Sequence, residues 1–109
     1  MKKSEIKFEI HLDETKHPQS IQWQATDSGM EGVKDAKALM LSIWDAKDPG
    51  TLRIDLWTKE MMVEEMQRFV YDTINSLAGT YANATNDENL AKEIRDFSVA
   101  FGKKTGLLV

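Results

Sequence analysis

The chain changes its hydrophobic period once, near Lys59. Before that point apolar and polar residues mostly alternate; after it apolar residues recur every three or four positions. From Glu5 to Asp13, Ile6, Phe8, Ile10 and Leu12 alternate with Lys7, Glu9, His11 and Asp13, the two-residue period of a strand with one buried face. DETKHPQS (Asp13 to Ser20) is turn chemistry with a proline. Ile21, Trp23 and Ala25 then alternate with Gln22, Gln24 and Thr26, which predicts a second strand antiparallel to the first.

DSGMEG (Asp27 to Gly32) reads as a loop, and the stretch after it supports two periods. Val33, Ala36, Met40 and Ile43 fit a helical stripe, whereas Leu39, Leu41 and Ile43 fit a strand. The neighbouring segment decides. DAKDPG (Asp45 to Gly50) is a turn and TLRIDLWT (Thr51 to Thr58) alternates cleanly, so one hairpin explains both sides and 38–44 is predicted to be a strand. From Met62 to Tyr81 the residues Met66, Phe69, Val70, Thr73, Ile74 and Leu77 keep helical spacing, predicting a helix over about 61–82. Thr85-x-x-Glu88 has the form of a capping box for a second helix. Leu90, Ile94, Phe97 and Phe101 form its apolar stripe, and Gly102 or Gly106 ends it. The tail Leu107-Leu108-Val109 either packs back or frays.

Four strands followed by two helices predict an α+β domain spanning 1–109, a four-stranded antiparallel sheet with two C-terminal helices on one face. The expected core runs through Trp23, Ile54, Leu56, Phe69, Ile74, Phe97 and Phe101. An open sheet of this kind leaves two unpaired edges, which predicts a homo-oligomer, in the first instance a dimer.

Composition narrows the chemistry. The 109 residues contain no Cys, which removes disulfides, thiolate metal sites and Cys nucleophiles and fits a reducing compartment. The net charge of −4 is spread without blocks, so no basic stripe suggests nucleic acid. No apolar run approaches the ~18–20 residues of a membrane span, and MKKSEIKFEIHLDE lacks the apolar centre of a signal peptide. The expectation is a cytoplasmic protein without membrane insertion. Glu9, His11 and Asp13 share a strand face but splay along one line, so a solvated face explains them better than a metal site. Gly29-x-x-Gly32 lacks the Lys-Ser/Thr of a phosphate loop. Glu60, Glu64 and Glu65 suit the start of a helix rather than acid–base catalysis. The reading is of a non-enzyme with no cofactor.

One surface carries a functional expectation. If Leu39, Leu41, Ile43, Leu52, Ile54 and Leu56 face the core, then Met40, Trp44, Arg53, Asp55 and Trp57 face the other way, together with Ser42. Trp, Met and Arg are residues enriched in interface cores. Alternatively the rings are covered by the 27–37 loop or stand singly at the sheet edges.

Three segments, SEIKFEIHLDE (Ser4 to Glu14), IQWQATDSG (Ile21 to Gly29) and KALMLSIWDAKDPGTLRIDLWTKEMMVEEMQRF (Lys37 to Phe69), resemble the GldC family of Bacteroidetes gliding-motility proteins. The likeness is strongest at TLRIDLWTK. It implies an accessory of the gliding apparatus, which works with the type IX secretion system, without catalytic activity. The leading expectation is an interaction protein that binds another component of that machinery through the Trp44/Trp57 face or an open sheet edge. The likeness carries no functional residue over to this chain. The order of elements is also similar to that of the export chaperone SecB, which makes a holdase for unfolded substrates the second expectation.

Overall fold

The computed structural model describes residues 2–27, 29 and 31–109. The chain divides into two compact units, Met1–Met61 and Met62–Val109. The first carries strands β1 (Ile6–Leu12), β2 (Pro18–Ala25), β3 (Lys34–Ala36), β4 (Ala38–Trp44) and β5 (Thr51–Trp57). The second carries helices α1 (Val63–Thr85) and α2 (Glu88–Lys104).

The α+β class and antiparallel pairing are as expected, but the single four-stranded sheet is not. Five strands form two sheets, ordered β1-β2-β3 and β4-β5. The extra strand, Lys-Asp-Ala, is too short to show any period. It is held by its ladder to β2, Ile21↔Ala36 through Trp23↔Lys34, and by a Gln22 amide to Asp35 carboxylate hydrogen bond of 3.3 Å. The chain leaves β3 at Lys37, whose carbonyl accepts from the Thr58 backbone N–H at 2.8 Å, and among the described residues β4 then pairs only with β5. The four-strand topology behind the comparison with SecB is therefore absent.

Both long hairpins close on an aspartate. Between β1 and β2, Asp13 Oδ1 accepts from the backbone N–H groups of Thr15 (2.9 Å) and His17 (3.0 Å) and from the Thr15 hydroxyl (2.8 Å). Between β4 and β5, Asp45 Oδ2 accepts from the N–H groups of Lys47 (2.9 Å) and Asp48 (2.7 Å). These are Asx turns, in which a short carboxylate does the work of a backbone carbonyl.

The helical unit is built on small residues. Ala78 and Ala82 of α1 and Ala91, Ser98 and Gly102 of α2 are its buried positions, and they let the two backbones approach closely. The buried Ser98 hydroxyl lies 2.8 Å from the Arg95 carbonyl and 3.2 Å from Asn75 Oδ1, so it has a partner on each helix. The stripe of large apolar residues expected to be core is displaced from this seam. Phe97 is 60% exposed, and Ile54 in the first unit is 48% exposed, so neither is core; among the described residues Ile21 is the largest fully buried apolar side chain.

The helix ends also differ from expectation. α1 begins two residues later and ends three later than 61–82, closing on Asn86 at φ 61, a left-handed position Asn tolerates. Thr85 belongs to α1 and does not cap α2. Its hydroxyl accepts the Asp87 N–H, while Asp87 is the N-cap and accepts from the Leu90 N–H at 3.1 Å. α2 runs through Gly102 to Lys104, and Gly106 follows at φ 84. The tail packs back: the Leu108 N–H reaches the Gly102 carbonyl at 3.0 Å, and its side chain sits on that glycine.

Candidate protein-interaction face

The β4–β5 register places every residue of the expected surface on one face. Met40 pairs with Asp55, Ser42 with Arg53, Trp44 with Thr51 and Ala38 with Trp57. Because opposed residues in an antiparallel pair point the same way, these four rows make one face, and Leu39, Leu41, Ile43, Leu52, Ile54 and Leu56 make the other. The turn that sets this register is the Asp45 Asx turn, closed by the Asp45 N–H to the Gly50 carbonyl at 3.2 Å.

Neither tryptophan is covered. Trp44 is 68% exposed and Trp57 57% exposed, while Met40 is half-buried. The rings stand at opposite corners of the hairpin, six residues apart along the strands, or about 20 Å. Between them lies a charged centre. Arg53 Nη2 meets Asp55 Oδ1 at 2.6 Å, its Nε lies 3.3 Å from Oδ2, and Nη1 donates to the Ser42 hydroxyl. The ion pair is two residues apart on a single strand, so its charges cancel locally. Such an exposed pair adds little stability. It supplies instead a fixed array of donors and acceptors.

Beside Trp57 opens a cleft of about 250 Å³, lined by His17, Pro18, Asp55, Leu56, Thr58 and Lys59 as well as the indole. The β1–β2 turn delivers His17 and Pro18 to it, and the Lys59 ammonium lies 3.8 Å from Asp13. No spacing rule links Asp13 or His17 to residues some forty positions later, so these neighbours of Trp57 leave no trace in the sequence.

The titratable groups with displaced pKa values are committed elsewhere. The His17 backbone N–H and the Thr15 hydroxyl hold the Asp13 carboxyl below its ordinary value. The Asp48 N–H, then that of Lys47, do the same for Asp45. Asp13 is therefore spent on its turn and does not join Glu9 and His11 in a ligand set. Among the described residues no group of three His, Cys, Asp or Glu converges. No helix among them is long and apolar enough to cross a membrane.

Comparison with known proteins adds the family. The model for "Gliding motility-associated protein GldC-like" matches residues 18–107. The chain belongs to the GldC-like family. The matched span takes in β2 to β5 and both helices, and so includes the whole of the candidate face. A search of curated proteins gives no match, and neither does a search of solved structures.

Proposed function

We propose that this GldC-like chain is a non-catalytic, cytoplasmic adaptor of the gliding apparatus and its associated type IX secretion system, and that it holds a protein partner on the outer face of β4–β5. One observation carries this: an Asx-closed hairpin presents two tryptophans more than half exposed, one on each side of an internally neutralised Arg53–Asp55 pair. Exposed indole costs solvation and serves no packing in the folded chain, whereas at an interface Trp and Arg are the residues that contribute most. An internally paired charge also costs less to cover than a lone one, because it loses less water when a partner arrives.

The test separates binding from folding. Trp44→Ala with Trp57→Ala removes mostly solvated surface, so the thermal midpoint should stay within a few degrees. In a gliding host the same double variant should abolish colony spreading, and a photo-crosslinker at Thr51 should lose its adduct. A large fall in midpoint would mean that the rings are structural. Unchanged spreading and an unchanged adduct would place the partner elsewhere.

A further inference from the structure

We infer that β5 pairs edge to edge with β5 of a second copy of this chain, about a two-fold axis through Ile54. This rests on the strand order and register, and is independent of which protein the outer face binds. Among the described residues β5 is an edge strand: its sheet has two strands, and only β4 lies beside it. An isolated two-stranded sheet is marginal in water, and an edge with free backbone groups is a template for another strand. Within Thr51–Trp57 there is no proline, no lysine and no bulge, the devices by which edges are ordinarily closed to pairing.

The residue order selects the partner. A two-fold antiparallel pairing centred on Ile54 sets Arg53 opposite the partner's Asp55, and Asp55 opposite the partner's Arg53. On the other face Leu52 meets the partner's Leu56, and Ile54 meets the partner's Ile54. Every opposed pair is therefore complementary in charge or in hydrophobicity. The neighbouring two-fold registers fail. Centring on Arg53 opposes two guanidiniums, and centring on Asp55 opposes two carboxylates, both destabilising when directly opposite. A shift of one residue puts the apolar face of one copy beside the charged face of the other.

The side chains are already available. Leu52 is 61% exposed and Ile54 48% exposed, so apolar surface waits on the side where Leu52 and the partner's Leu56 would meet. Arg53 uses one edge of its guanidinium on its own Asp55 and one nitrogen on Ser42, and its five N–H donors leave capacity for a second carboxylate. A contact in which residue i meets j and j meets i is what a two-fold dimer requires, and it closes without propagating into fibres.

Charge reversal tests the register. Analytical ultracentrifugation of the whole chain should show a concentration-dependent dimer. Arg53→Asp alone and Asp55→Arg alone should each weaken it on the order of tenfold or more, because like charges are then opposed across the axis. Mixing the two variants should restore association as a heterodimer, since each carries the complement of the other. Repair of an ion pair within one chain could not do this. As a second reading, Ile54→Cys in this cysteine-free chain should link to itself through a short bismaleimide, while Thr51→Cys, about 20 Å from its symmetry mate, should not. A wild-type chain that stays monomeric at high micromolar concentration overturns the inference, the edge then being closed within the chain or by another protein. So does a dimer indifferent to both reversals, or one that mixing fails to restore.

Discussion

Gly102 sits where the C-terminal tail closes over α2, and replacing it by alanine sets two known quantities against each other. A Cβ there would lie 2.8 Å from Leu108 Cδ1, 2.9 Å from its Cγ and 3.0 Å from Tyr71 Cε1. Carbon atoms rest at about 3.5–4.0 Å, so Leu108 must move by most of an ångström. The helix itself gains roughly 0.5–1 kcal/mol from Gly→Ala. Displacing the half-buried Leu108 forfeits about half of the ~1.5–3 kcal/mol that full burial of a leucine is worth. Its backbone bond to the Gly102 carbonyl accounts for a further ~0.5–1.5 kcal/mol. The loss wins, and Gly102→Ala should destabilise the helical unit by about 1 kcal/mol. In a Leu108→Ala background the two closest contacts are gone and Tyr71 Cε1 at 3.0 Å remains, so the same substitution should cost less or become neutral. Gly79 is the control: it lies within α1 with nothing within 4 Å of a built Cβ, so Gly79→Ala should show the helical gain alone. Urea denaturation followed by far-UV circular dichroism reports these helices, whereas the three tryptophans all lie in the first unit and report that unit by fluorescence. Equal destabilisation of Gly102→Ala in both backgrounds would refute the reasoning, leaving Tyr71 as the obstacle. A gain in the wild-type background would mean that the tail is not docked.

Phe97→Ala should cost under about 1 kcal/mol in the same denaturation assay, because a ring 60% exposed has little burial to lose; the 3–5 kcal/mol of a buried phenylalanine would place it in a core after all. Acid should unfold the strand unit through its turns. Asp13 and Asp45 are held below their ordinary value of 3.8, so their contribution is fully present above that pH and is lost as pH falls through the lower, folded-state values. Tryptophan fluorescence titrated downward from pH 7 should therefore stay flat until the carboxylate range, and Asp45→Asn should shallow the acid limb without moving the helical signal.

Alternation made the β4–β5 hairpin legible. The alternation along 38–44 and 51–57 fixes the faces and a turn of known length fixes the register, which sets Trp44 opposite Thr51 and Trp57 opposite Ala38. β3 was not legible because three residues, Lys-Asp-Ala, hold no period and owe their extended form to a ladder with β2. The helical seam was not legible for a different reason. Hydrophobic stripes are weighted by large side chains, and Leu90, Ile94, Phe97 and Phe101 outweigh Ala91, Ser98 and Gly102, yet close approach of two backbones selects the small ones. The Thr85-x-x-Glu88 motif failed because Asp87, one position before Glu88, offers a shorter reach to the same orphan N–H groups.

Self-pairing of β5 would also change what the outer face is. Within one chain Trp44 and Trp57 stand at opposite corners, about 20 Å apart. In the two-fold register Trp44 shares a row with Thr51 and, one strand further on, with the partner's Trp57; two strand spacings make roughly 10 Å. Each end of the four-stranded sheet would then carry one such pair of rings, with two Arg–Asp pairs between, and the scattered aromatics of a monomer would become two aromatic clusters on one surface. A tryptophan signal should follow association as a consequence. With Trp23→Phe silencing the β2 indole, dilution across the dimerisation range should shift the emission of Trp44 and Trp57, and the midpoint should coincide with that from sedimentation. Arg53→Asp should move that midpoint to concentrations on the order of tenfold higher or more. If sedimentation reports a dimer while the emission stays constant on dilution, the two copies meet away from β5 and the outer face remains that of a single hairpin.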